Sequence, residues 1–105
     1  MKKTFASITV VTLLLLAAVP LFAADGAALF KAKCAMCHGA DGKGETPMGK
    51  NLKLRDLASA EVQKQTDADL KKIIDDGRGK MPPFKATLAA GDAETLVAFI
   101  RSLKK

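Results

Sequence analysis

No segment limits the possible folds of this chain as sharply as Cys34-Ala35-Met36-Cys37-His38. These are the only two cysteines and the only histidine in 105 residues. Two thiols three positions apart can reach the two vinyl groups along one edge of a haem and form thioethers. The next residue then lies beneath the porphyrin, where its imidazole can bind iron. Such a chain has to fold around a flat, largely apolar body tethered at Cys34 and Cys37, with His38 as the proximal iron ligand. Competing readings ask for features that are missing here. A redox-active Cys-x-x-Cys sits beside a βαβ pattern, and none is visible. A structural zinc site takes four Cys or His ligands, one more than the chain supplies. A disulfide between residues this close gains little from loop closure and is geometrically awkward.

The N-terminal residues have a different character. Lys2 and Lys3 precede an almost wholly apolar run, Thr4 to Phe22, centred on Leu13-Leu14-Leu15-Leu16; Pro20 interrupts it shortly before the small residues Ala23 and Ala24. This is the build of a secretory signal peptide. The expected organisation is residues 1–23 as signal peptide, cleaved after Ala23 (or, as second choice, after Ala24), and residues 24–105 as a single domain holding one haem. An uncleaved anchor is the alternative, since the run from Phe5 to Ala24 is just long enough to span a bilayer; Pro20 and the small-residue exit favour removal. With no cysteine at the new N-terminus, lipid modification is not indicated. Export also suits haem attachment, and the expected location is the periplasm, or the thylakoid lumen in a photosynthetic source.

A domain of 82 residues buries a modest share of its surface and usually needs a staple. The domain has no Trp or Tyr and only Phe30, Phe84 and Phe99 as aromatic residues, as expected if a covalently held porphyrin supplies most of the aromatic core. Formal charge falls from +6 to +4 once Lys2 and Lys3 leave. That mild, scattered excess favours an acidic partner surface and gives no indication of nucleic-acid binding.

Four or so short helices are expected. The first runs from about Asp25 to Lys33, with Ala27, Ala28, Phe30 and Ala32 available for packing, and delivers Cys34. Gly39 to Lys50, rich in Gly and charge and containing Pro47, reads as a loop. Asp56 to Gln65 suits a short helix. A better defined one starts after Thr66 as N-cap, with Asp67 and Asp69 in its first turn, a Leu70/Ile73/Ile74 stripe, and Gly77 in a left-handed position at its end. The last spans about Ala90 to Leu103, with Ala93, Leu96, Val97, Ile100 and Leu103 on one face. No alternating β-branched run appears, and the fold class is all-α.

A haem with one protein ligand has an open position for gases or peroxide, whereas a haem with two mostly moves electrons. The domain offers three methionines. Met36 is tethered inside the attachment motif, and Met48 would need a tight detour. Met81, in Gly79-Lys80-Met81-Pro82-Pro83-Phe84, stands on a segment that prolines stiffen and hold extended, and it is the expected distal ligand. The alternatives are Met48 or no protein ligand.

Together these features resemble the class I c-type cytochromes, close to the small monohaem electron carriers of bacteria and algal thylakoids. The matching residues are Gly26-x-x-x-Phe30, Cys34-Ala-Met-Cys37-His38, Asp41-Gly42-x-Gly44, Asn51-Leu52, Thr66-Asp67, Gly77-Arg-Gly-Lys-Met81-Pro82-x-Phe84 and Leu96-Val-Ala-Phe99-Ile-Arg-Ser-Leu103. The resemblance implies crossed first and last helices, with Gly26 at the close contact and Phe30 near Phe99. It also implies His38 and Met81 as the axial pair of one covalent haem c. One departure is Ala89-Ala90-Gly91, where the family often has a Ser or Thr cap. The implied function is an exported, soluble, monomeric one-electron carrier, not an enzyme, with no stable membrane insertion after cleavage and no nucleic-acid partner. Lys43, Lys50, Lys80 and Lys85 are candidates to steer acidic redox partners. The rival is a haem peroxidase or gas sensor with a labile sixth position, for which Arg78 is the sole nearby polar candidate.

Overall fold

The computed structural model describes residues 21–105, with side chains from Asp25 onward. Residues 1–20, most of the expected signal peptide, lie outside the described residues. Among the described residues six helices follow one another: α1 Leu21–Lys33, α2 Ala35–His38, α3 Pro47–Leu52, α4 Ala60–Gln63, α5 Asp67–Asp76 and α6 Asp92–Ser102. Among the described residues there is no strand, only an isolated antiparallel bridge between Arg78 and Met81.

The chain's two ends meet where α1 crosses α6. A Cβ added to Gly26 would stand 3.1 Å from the Phe99 Cβ and 3.2 Å from the Thr95 carbonyl oxygen, so hydrogen at this position lets the two backbones approach. One turn further on, the Phe30 ring, 1% exposed, lies 4.8 Å from that of Phe99 at 40°, a tilted aromatic pair that adds to the gain from burial. Because α1 leans on a single neighbour, it buries only a narrow stripe of Gly26, Leu29 and Phe30. Ala27, Ala28 and Ala32, expected to pack, face solvent. Within the described residues the helix already includes Leu21 to Ala24, upstream of the expected Asp25, and these four contain no residue that would stop it.

Phe30, Val62, Leu70, Ile74, Ala93, Leu96, Val97 and Ile100 form the buried core. On α5 the Thr66 hydroxyl accepts from the Asp69 N–H at 3.1 Å, as its sequence predicts. Helix α6 starts two residues later than expected, at a Gly91 cap with no side-chain acceptor. In place of Ser or Thr, the Asp92 carboxylate accepts from the Ala89 N–H at 2.9 Å and pins the approach. Arg101 ties the C-terminal helix to the α4–α5 corner. It donates to Asp67 Oδ1 at 2.8 Å, to the Gln63 carbonyl at 2.8 Å and to the Gln65 carbonyl, while Gln63 Nε2 donates to the carbonyls of Leu57 and Ile100.

The segment from Gly39 to Lys50 corrects the expected loop. Thr46 is an N-cap with Pro47 in the first helical turn, and α3 follows. A proline read as a turn residue is here the opening residue of a helix. The expected helix over Asp56–Gln65 contracts to α4, because Asp56 accepts from the Ala58 N–H at 2.8 Å in a local turn and Ser59 caps only what comes after.

Gly26→Val would force α1 and α6 apart. We expect a loss of about 1–3 kcal/mol in denaturant unfolding, typical of overpacking, whereas Ala27→Val on the exposed face should change stability by less than about 0.5 kcal/mol.

Candidate functional site

Helix α1 ends by delivering Cys34. The Cys34 N–H still donates to the Phe30 carbonyl at 2.8 Å, after which the chain bends and α2 restarts, with the His38 N–H donating to the Cys34 carbonyl at 3.0 Å. Both thiols and the imidazole therefore share one short, backbone-bonded turn. Thr46 locks it from outside: its hydroxyl donates to the Cys37 carbonyl at 2.7 Å and accepts from the Gly49 N–H at 2.9 Å. Gly49 is buried against this turn, where a Cβ would stand 2.6 Å from the same Cys37 carbonyl oxygen.

Across from the turn, α5 ends at Gly77, with φ 75° and ψ 172°. The φ is positive as expected, but the ψ is extended, not left-handed helical, so the chain leaves the helix outward and does not curl around its end. Arg78 and Met81 then exchange backbone hydrogen bonds of 3.0 and 2.9 Å, and the N–H groups of Phe84 and Lys85 return to the carbonyls of Ile74 and Asp75 on the last turn of α5. Met81 is thereby presented, half-buried, by a four-residue turn sewn to the helix end.

Cys34, His38 and Met81 line one cleft of about 380 Å³, walled by Phe30, Leu52, Leu54, Leu57, Val62, Leu70, Ile73, Ile74, Leu96 and Ile100. Cys37 is half-buried on the same turn, just outside the residues forming that wall. Met36 and Met48 take no part in the cleft and are 81% and 45% exposed. Of the lysines singled out from sequence, Lys80 lies on the cleft wall, while Lys43, Lys50 and Lys85 are exposed elsewhere. Lys53, Arg55 and Arg78 line the wall as well. For Lys53 and Arg55 the sequence carried no signal beyond charge.

The electrostatics do not favour Cys34 as a redox-active thiol. Burial, together with the neighbouring Cys37, pushes the Cys34 thiol up to about 11, and both cysteines are unbridged. A redox-active Cys-x-x-Cys needs a readily formed thiolate, the opposite condition. Burial lowers the His38 pKa, favouring the neutral imidazole that a metal ligand must be. Its buried Nδ1 finds no hydrogen-bond partner among the described residues, an unmet polar requirement in an apolar setting. A soft sulfur, a neutral imidazole and two thiols around an apolar cleft fit a covalently attached haem.

Comparison with known proteins agrees. Residues 22–100 match the family described as cytochrome C oxidase, cbb3-type, subunit III. Cytochrome c6 of Microcystis aeruginosa is 34% identical over 76 residues, covering 72% of this chain and 90% of that protein. The cbb3-type cytochrome c oxidase subunit FixP of Rhizobium etli is 36% identical over 83 residues; the match covers 77% of this chain but only 28% of FixP. Among solved structures, the KustC0563 c-type cytochrome superposes with a TM-score of 0.70 at 36% identity, over 76% of this chain and 98% of that one.

A Cβ at Gly77 would meet the Met81 carbonyl oxygen at 2.6 Å and the Pro83 nitrogen at 2.8 Å. Gly77→Ala should therefore dislodge the Met81 turn, costing about 1–3 kcal/mol. Thermal unfolding would register the loss, and amide exchange would show it concentrated over residues 77–85.

Proposed function

The chain belongs to the c-type cytochromes, and on that footing we propose that this electron carrier is exported, soluble and monomeric, with His38 and Met81 as the axial ligands of a haem c held by thioethers to Cys34 and Cys37. The observation that carries this reading is the convergence of Cys34, His38 and Met81 on one apolar cleft. When bound, haem c supplies a one-electron ferrous/ferric couple.

The chain's own residues set the terms of that couple. Met81 brings a soft thioether on a turn that its backbone bonds and the following prolines hold in place, which favours the ferrous state over a two-nitrogen site. The Leu and Ile wall keeps water away and disfavours the additional positive charge of ferric iron. Lys43, Lys50 and Lys85, exposed and outside the cleft, are free to steer an acidic redox partner. Among the described residues no helix is long and apolar enough to cross a membrane. The competing peroxidase or gas-sensor reading would need a polar group over an open iron position. Arg78 does line the cleft, but so does Met81, a ready occupant of that position.

Met81→Ala should abolish the weak far-red ferric band of thioether–iron bonding, lower the reduction potential and admit carbon monoxide readily, while Met48→Ala leaves all three nearly unchanged. Rapid carbon monoxide binding and peroxide turnover by the unaltered protein would instead favour the enzyme or sensor. Replacing either Cys34 or Cys37 by Ala should give poor maturation or a single-thioether product with a shifted haemochrome band.

Intact mass of the exported protein should correspond to a chain starting at Ala24 or Asp25, with one haem, recovered in the soluble fraction. A mass retaining Met1 in the membrane pellet would assign the N-terminal segment as an anchor.

A further inference from the structure

Both peptide planes that flank His38 are held at each end. In the plane before it, the His38 N–H donates to the Cys34 carbonyl at 3.0 Å and the Cys37 carbonyl accepts from the Thr46 hydroxyl at 2.7 Å. In the plane after it, the Gly39 N–H donates to the Ala35 carbonyl at 2.9 Å and the His38 carbonyl accepts from the Gly44 N–H at 2.7 Å. Three of these bonds are made by the backbone alone; only Thr46 contributes from a side chain. The same hydroxyl accepts from the Gly49 N–H at 2.9 Å. Gly49, Thr46, the Cys37–His38 peptide and Cys34 thus form one unbroken hydrogen-bond chain, in which each bond polarises the next. Thr suits this position better than Ser, because a β-branched side chain has few χ1 states. Its methyl also lies against Gly39, 3.6 Å from where a Cβ there would stand. Capping α3 needs only the acceptor. The donated proton is surplus to that task, and it goes to the peptide that carries the imidazole.

Resting on the reading of His38 as proximal ligand of a covalent haem c, we infer that Thr46 is a positioning residue for that imidazole. Its hydroxyl proton fixes the Cys37–His38 peptide, and through it the plane in which the His38 ring meets the iron. Among the described residues the His38 Nδ1 has no hydrogen-bond partner, so the ring's orientation falls to its backbone and to packing beside Phe30, whose ring centroid is 6.3 Å away. The backbone share is the one Thr46 controls. The inference does not depend on which side chain is the distal ligand.

The test is proton NMR of the ferric holoprotein, where the pattern of paramagnetically shifted haem methyl resonances reports the orientation of the axial imidazole. Thr46→Ser keeps the donor, and Thr46→Val removes donor and acceptor together. Thr46→Asp keeps an acceptor for the Gly49 N–H but has no proton to give. Thr66→Val is the control, since it deletes the corresponding cap of α5. Thr46→Ser and Thr66→Val should retain the wild-type methyl pattern, whereas Thr46→Val and Thr46→Asp should both change it. In the wild type, the Thr46 hydroxyl proton should exchange with solvent about tenfold more slowly than that of exposed Thr66; this measurement serves if the Val and Asp variants do not mature. A wild-type methyl pattern in Thr46→Asp, or a Thr46 hydroxyl exchanging as fast as that of Thr66, would overturn the inference and leave Thr46 as a helix cap alone. A wild type without covalent haem, seen beforehand in its haemochrome spectrum, would overturn the ligand reading as well.

Discussion

The approach of α1 to α6 at Gly26 is the contact on which the rest of the structure depends. It is made by absence, since any side chain there would meet Phe99 and the Thr95 carbonyl within about 3 Å. Once the helices are this close, Phe30 is carried fully into the core beside Phe99, and the end of α1 sets Cys34 at the rim of the cleft. Cys34 thus inherits its position from a helix crossing two turns upstream. In so small a domain no redundant layer would compensate a slip in that crossing.

The two halves of the site are held by different means. On the His38 side, a single backbone turn carries both thiols and the imidazole, and Thr46 clasps the Cys37 carbonyl. On the Met81 side, the thioether is brought by a turn bonded back to the end of α5, with Gly77 permitting the change of direction. Among the described residues, the buried His38 Nδ1 has no hydrogen-bond partner. A buried polar atom left unpaired carries a cost in so apolar a setting.

Much of this was legible in the linear sequence. Cys34-Ala-Met-Cys37-His38 named its cofactor chemistry, Thr66 and the Leu70/Ile74 stripe marked α5 to the residue, and the family resemblance carried in part by Gly26, Phe30 and Phe99 implied the crossing. Errors gathered where local signals are ambiguous. Pro47 starts a helix but looked like a loop residue, because proline serves both purposes and only Thr46 in an N-cap conformation distinguishes them. The alanines of α1 were credited with burial, yet a helix with one neighbour hides only one narrow stripe.

What the sequence determined by itself is therefore the chemistry and the local elements. Thiol spacing, adjacent imidazole, capping residues and apolar periodicity are short-range properties, readable wherever the chain lies in space. Tertiary structure alone decided which charged positions meet: Lys53, Arg55, Arg78 and Lys80 share one cleft wall with His38 and Met81. These depend on how segments some forty residues apart are brought together by the α1–α6 crossing and the Gly77 turn, and no local pattern of charge or hydropathy encodes that distance.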